Sequence, residues 1–232
     1  MIAIITYDSP HRKTQDLILK LILNGHSNIH LVVIPWTERK SFLPIFKHRP
    51  SKKVSITIDE MCERLNLLSS RVDIEKLDDY FFENKFDHII IGGAGILPEN
   101  LAKNHKVINS HPGYLPNMKG LDAFKWAIYH GQPIGVTTHY ISDKADEGNL
   151  IEKMIVPIYF EDTFHSVAYR IYETEIEMLV NSINQIENEN ATLESLADNR
   201  YLANRRMPHH LEIIMMNKFE EIRKKSNTFR EI

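Results

Sequence analysis

A chain of 232 residues that is 43% hydrophobic and 25% charged has the makeup of a folded globular protein. It is long enough for one large domain with an extension, or for two small domains. The net charge of −3 argues against a nucleic-acid binder, and no apolar run approaches the roughly 18 residues of a membrane span. Met1–Tyr7 is too short for a signal sequence, so a cytoplasmic location is the expectation. The lone Cys62 excludes an intrachain disulfide and a cysteine-built metal cage.

Ile2 to Tyr7 reads as a buried strand. Ser9-Pro10 offers an N-cap and a first-turn proline for a helix from Thr14 to Leu23, stopped by Asn24-Gly25. Ile29 to Trp36 is the next apolar run, and Pro44 to Pro50 is irregular. Thr57-Ile-Asp-Glu60 fits a capping box ahead of Met61, Leu65 and Leu68. Asp87 to Ile91 is a short strand ending in Gly92-Gly93-Ala94-Gly95, followed by a short helix over Pro98 to Lys103. Lys106 to Ser110 is a strand, Leu121 to His130 a helix closed by Gly131, and Gly135 to Ile141 and Leu150 to Ile158 are strands. Thr163 to Asn184 is a long amphipathic helix, and a last helix covers Pro208 to about Lys224. Residues 200–232 carry eight Lys/Arg against four Asp/Glu, which suits a solvated helix face.

Strands alternating with helices predict an α/β fold, an open and mostly parallel twisted sheet flanked by helices with a short C-terminal helical extension. The weakest seam, Asn184 to Ala191, divides residues 1–187 from an extension at 188–232. Ligands of such sheets sit at the carboxyl ends of the strands, so the Gly92–Gly95 and Asn109–Pro116 loops should share one edge.

The stretch that carries chemistry is Asn109-Ser-His-Pro-Gly-Tyr-Leu-Pro116, with His139-Tyr-Ile-Ser-Asp-Lys-Ala-Asp146. Asn109 and His111 are two apart and point to the same side of an extended segment. Pro112, Gly113 and Pro116 then force a loop. A histidine with a carboxylate partner and an amide donor is what proton transfer beside a carbonyl requires. His139, in mid-strand, suits a hydrogen-bonded structural role better than a catalytic one. Gly92–Gly95 lacks the spacing of a dinucleotide loop and fits a backbone wall against a planar ligand, or a plain tight turn. Ser9 and Ser110 lack a nucleophile-elbow setting. His209-His210 has no third metal ligand nearby.

Asn109–Pro116, Lys119-Gly-Leu-Asp-Ala123, Gly135-Val-Thr-Thr-His139 and Asp143-Lys-Ala-Asp146 together resemble the folate-dependent formyltransferases over roughly residues 1–185. Gly113-Tyr114, Gly120–Trp126, His48-Arg49-Pro50 and Arg206-Met-Pro208 resemble the sugar-nucleotide N-formyltransferases within that family. The resemblance implies a Rossmann-like formyltransferase fold and a catalytic trio of Asn109, His111 and Asp146. It implies 10-formyltetrahydrofolate as formyl donor, with no metal, held by Ala94, Gly95, Ile96 and Leu97 and by Asp143 and Ala145. It implies a dTDP-linked amino-dideoxy sugar as acceptor, destined for O-antigen-type glycans. Lys119, Trp126, Arg49 and Tyr114 are the candidate acceptor contacts, although Trp126 also fits plain helix core and Lys119 a solvated loop. A homodimer is implied as well, with neither nucleic acid nor membrane as partner.

Two features depart from the family pattern. Asp146 is followed by Glu-Gly-Asn149 where relatives often read x-Gly-Gly-Pro. The loop Tyr7–Arg12 has no glycine, unlike the phosphate loop of the glycinamide ribonucleotide enzymes. About 45 residues after the long helix are too few for the tRNA-binding domain of methionyl-tRNA formyltransferases. A formyl-folate hydrolase, a glycinamide ribonucleotide enzyme and a non-catalytic nucleotide-sugar binder remain the alternatives.

Overall fold

The computed structural model describes residues 1–36, 43–50 and 56–228. Its strands are β1 (Ile2–Tyr7), β2 (Ile29–Ile34), β3 (Leu68–Arg71), β4 (His88–Ile91), β5 (Val107–His111), β6 (Gly135–Tyr140) and β7 (Asn149–Ile155). They form one sheet in the order β3-β2-β1-β4-β5-β6-β7. The pairs from β3 across to β5 are parallel, whereas β5–β6 and β6–β7 are antiparallel. The expected mostly parallel sheet flanked by helices is what the chain builds.

The helices are α1 (Arg12–Leu23), α2 (Ile58–Leu65), α3 (Leu77–Glu83), α4 (Glu99–Asn104), α5 (Ala123–His130), α6 (Phe164–Glu187) and α7 (His209–Lys225). Side-chain alternation in the central strands divides the core in two. Ile2 and Ile4 of β1 pack with α1, α2 and α6, through residues such as Leu17, Met61 and Leu179. Ala3 and Ile5 pack on the other face with Leu77 and Phe81 of α3 and Leu101 of α4. A third cluster joins Phe124 and Phe164 to Met207, Met215 and Phe219, so the C-terminal extension shares a core with α5 and α6. The extension also pairs its backbone with two earlier segments. Residues 193–196 bond to Leu150 and Gly148, and Asn204 bonds to Lys119 and Leu121.

The predicted helix starts at Thr57 and Thr163 each carry a reciprocal capping box, Thr57 with Glu60 and Thr163 with Ser166. Two expectations are corrected. Ser9-Pro10 does not cap α1: the Asp8 amide bonds to the Ile34 carbonyl, His11 is the N-cap, and the helix starts at Arg12, two residues before the expected Thr14. Leu68 does not lie on α2, because Asn66 adopts a left-handed conformation (φ 52°), ends the helix and turns the chain into β3. The chain order also reverses beside β1. It runs outward to β2 and β3, then returns to β4 on the other side, which opens a crevice above the strand ends.

Candidate active site

Period two along β5 sends Asn109 and His111 to one side and Ser110 to the other. The loop after the strand is pinned to β6 by Thr137, whose hydroxyl donates to the Gly113 carbonyl (2.8 Å) and accepts from the Leu115 amide (3.0 Å). Gly113 is required by space: a Cβ there would lie 2.6 Å from His111 Nε2. The predicted loop therefore holds the imidazole from below.

His111 is buried, and both of its ring nitrogens face acceptors. Nδ1 lies 3.2 Å from Asp146 Oδ1, and Nε2 lies 2.8 Å from the Met118 carbonyl. Two acceptors call for two N–H donors, which is the protonated ring. Burial alone would lower its pKa; the charge and hydrogen bond of Asp146, the Met118 carbonyl and the charge of Glu175 outweigh it and hold it above the usual value. Asp146 is the reciprocal case. Burial raises it, but His111 and the Gly120 amide, which donates to Oδ2 at 2.6 Å, pull it down to about 2. Asp146 sits at φ 56°, a conformation short polar side chains tolerate.

Asn109 is oriented from the neighbouring strand. It pairs across β5–β6 with His139, and its Nδ2 lies 3.4 Å from His139 Nε2. His139 Nδ1 donates to the carbonyls of Tyr140 (3.1 Å) and Glu147 (3.0 Å), which leaves Nε2 as the acceptor. Burial pushes the His139 pKa down to about 4, so this ring is neutral beside a charged one. The second Nδ2–H of Asn109 makes no further hydrogen bond among the described residues.

The two loops expected to hold the formyl donor lie together. Ala94 and Leu97 pack in one cluster with Ile141, which enters the loop bearing Asp143 and Ala145. Ile96 stands 81% exposed at this edge, and Asp143 and Ala145 are also exposed. Apolar side chains with main-chain groups beside them suit a flat ring with amide-like edges.

The acceptor candidates separate. Lys119 is 1% exposed; its ammonium donates to Glu147 Oε1 (2.8 Å) and the Asp198 carbonyl (3.2 Å), so it is committed inside the protein. Trp126 lies outside the catalytic group: its indole N–H donates to the Arg205 carbonyl (2.8 Å) and its ring stacks on His130. Tyr114 leans on Gly135 and lies under the Lys153 ammonium, toward the β7 edge. Arg49 is exposed and faces the site, with Nη1 3.5 Å from Glu175, a carboxylate near enough to act on His111.

Sequence reading missed Glu175 and Glu212. Glu175 is buried on the apolar face of α6 between Ile171 and Leu179, and it accepts from Lys13 at 2.6 Å. Glu212, buried with Met215 and Phe219, forms an ion pair with Lys125 in the interior. A charged residue at a core position of a helical repeat was the available signal in both cases.

Among the described residues no group of three or more His, Cys, Asp and Glu side chains is placed to hold a metal, and no helix is long and apolar enough to cross a membrane. A family model described as formyl transferase matches residues 2–183. A methionyl-tRNA formyltransferase of Thermosynechococcus vestitus is 28% identical over 116 residues, 49% of this chain and 35% of that protein. The dTDP-4-amino-4,6-dideoxyglucose formyltransferase of Mycobacterium tuberculosis is 23% identical over 177 residues, 76% of this chain and 70% of that protein. The chain thus spans about a third of the first relative and over two thirds of the second. Among solved structures, a sugar N-formyltransferase of a Shewanella species superposes with a TM-score of 0.63 at 19% identity, covering 94% of this chain and 87% of that one.

Proposed function

Because the chain belongs to the formyl transferase family, we propose that it moves a formyl group from 10-formyltetrahydrofolate to the amine of a nucleotide-linked amino sugar. dTDP-4-amino-4,6-dideoxyglucose is the acceptor we favour. The observation that carries the reading is His111, buried and doubly hydrogen-bonded between Asp146 and the Met118 carbonyl, with Asn109 beside it on the same strand face. The match to the mycobacterial sugar enzyme over 76% of the chain supports the acceptor class. So does the loop after β1. The Tyr7 and His11 side chains there crowd Gly93, and no glycine backbone is available to cradle a ribose phosphate as in the purine-pathway enzymes.

When bound, 10-formyltetrahydrofolate supplies an electrophilic formyl carbon. Ala94, Gly95, Ile96 and Leu97, with Asp143 and Ala145, hold its ring by main-chain hydrogen bonds and apolar contact. Asn109 offers its unspent Nδ2–H to the negative charge that develops on the formyl oxygen, and His111 offers a ring N–H to the same charge. Each such donor contributes about 3–4 kcal/mol of barrier lowering in a dry site. The His111 Nε2–H leaves the Met118 carbonyl to do so. Asp146 keeps the imidazole protonated and assists the passage of the amine proton to the leaving nitrogen, help on the order of 10²–10⁴ in rate. Arg49 faces the phosphates of the acceptor. In this reading the protein is a cytoplasmic homodimer that contributes to O-antigen-type glycans.

The test is a mass-spectrometric screen of the purified protein with 10-formyltetrahydrofolate and a panel of amino-sugar nucleotides. The expected result is a gain of one formyl unit on dTDP-4-amino-4,6-dideoxyglucose. Formate release at a rate no sugar nucleotide changes would point to a hydrolase instead, and formylation of glycinamide ribonucleotide would point to the purine pathway.

A further inference from the structure

Three consecutive residues grip the His111–Asp146 pair from behind. The Met118 carbonyl meets His111 Nε2 at 2.8 Å, and the Gly120 amide donates to Asp146 Oδ2 at 2.6 Å. Between them, the Lys119 ammonium donates to Glu147 Oε1 at 2.8 Å. Residues 119–120 thus hold residues 146–147 at two adjacent points, one through a side chain and one through the main chain. The grip is itself fixed by the segment after α6. Asn204 donates to the Lys119 carbonyl from its amide (2.9 Å) and from its Nδ2 (3.2 Å), and the Asp198 carbonyl accepts a second N–H of the Lys119 ammonium (3.2 Å).

The burial of Lys119 calls for a reason. A loop lysine ordinarily extends its ammonium into water. Here the residue is 1% exposed, and taking an ammonium out of water is costly unless partners compensate. The loop that it reaches is one that needs holding. Asp146 and Gly148 both have positive φ (56° and 113°), and a non-glycine residue keeps that conformation only where its surroundings impose it. Glu147, between the two, is anchored twice: its carboxylate by Lys119, and its carbonyl by His139 Nδ1 (3.0 Å). Among the described residues Glu147 makes no other ion pair.

We propose that Lys119 is a positioning residue for formyl transfer: its ammonium, acting through Glu147, holds the loop that presents Asp146 to His111. The proposal rests on the transfer reading above and gives Lys119 a role away from the acceptor. A side chain that bound the acceptor would keep its donors for it, whereas two donors of Lys119 are spent on Glu147 and on the Asp198 carbonyl. A charge-assisted hydrogen bond fixes direction as well as distance, which apolar contact does not.

The experiment compares Lys119→Met, Glu147→Leu and the double variant with the wild type, all as the full chain. It reads formyl transfer from 10-formyltetrahydrofolate to dTDP-4-amino-4,6-dideoxyglucose, thermal melts, and an NMR titration of the His111 ring. Each single variant should lower kcat about tenfold or more, since a misplacement of about 1 Å at the chemistry is enough for such a loss. KM for both substrates should stay within a factor of about two; a side chain that touched the acceptor would instead raise KM for the sugar nucleotide. The double variant leaves no buried charge unpaired, so it should regain thermal stability while its kcat stays down, and it decides the matter if a single variant fails to fold. Recovery of kcat together with stability would make the role of Lys119 structural and overturn the proposal. The titration reads the geometry without turnover, and it decides alone if no amino-sugar nucleotide is formylated. The charges that act on the ring are Asp146 and Glu175, with the neutral His139 beside it. A displaced Asp146 opposes burial less, so the ring should titrate at lower pH in Lys119→Met than in the wild type. Loss of the positive charge by itself would move the ring the other way, so an unchanged or raised titration would overturn the proposal. If the titration falls in Lys119→Met while His111→Ala transfers at near wild-type rate, the positioning stands and the transfer mechanism falls. If Lys119→Met keeps wild-type kcat and titration while His111→Ala is inactive, the positioning falls and the mechanism stands.

Discussion

His111 and Asp146 set each other's protonation, and each has a pH window. The folded pKa of His111 lies above its ordinary value near 6.5, so its contribution to stability is complete below that value and is lost as pH rises through the raised pKa. Asp146 is depressed to about 2, so its contribution is present above the usual carboxylate range and is lost as pH falls toward 2. The pair is therefore intact through mildly acidic and neutral pH. Asp146→Asn removes the charge and leaves burial opposed only by the Met118 carbonyl and the charge of Glu175. The His111 ring should then titrate at lower pH than the wild-type ring. An NMR titration of the histidine protons reads this directly, and an unchanged His111 curve would remove Asp146 from its role.

Among the elements, the start of α2 was legible in the sequence because a capping box is local: Thr57 and Glu60 meet within one turn. Thr57→Ala should cost about 1 kcal/mol in denaturant unfolding. The Asn109/His111 spacing was equally readable, since alternation on a strand fixes the facing side. What was not readable depends on contacts far apart in the chain. Lys119 looked like a free loop lysine, yet its ammonium is paired with Glu147 in the loop after β6. Trp126 read as a candidate acceptor contact or as plain helix core, yet its N–H is used by a segment nearly eighty positions on. The Glu212–Lys125 pair belongs to the same class, joining α7 to α5 with both side chains fully buried. Glu212→Ala leaves a buried ammonium uncompensated and should destabilise by about 3–5 kcal/mol. Lys125→Met with Glu212→Leu should recover much of that loss, measured by equilibrium unfolding.

The whole molecule places Asn109 and His111 on one strand, Asp146 on the loop after the next strand, and the segment behind them beyond α6. The division at residue 187 that the polar seam suggested falls across a shared core, because Met207, Met215 and Phe219 pack on Phe124, Phe164 and Val167. A chain truncated after residue 187 should therefore expose that surface and fail to give a cooperative thermal transition, and Phe219→Ala in the full chain should cost about 3–5 kcal/mol. The proposed chemistry rests on three side chains brought together from one strand and a loop. Single-turnover formyl transfer by His111→Ala, with the folate donor saturating and the formylated sugar nucleotide counted by mass spectrometry, tests that claim most directly. The transfer step should slow by about 10³-fold or more, with sugar-nucleotide affinity within a factor of about two of wild type. Transfer at near wild-type rate in this variant would contradict it.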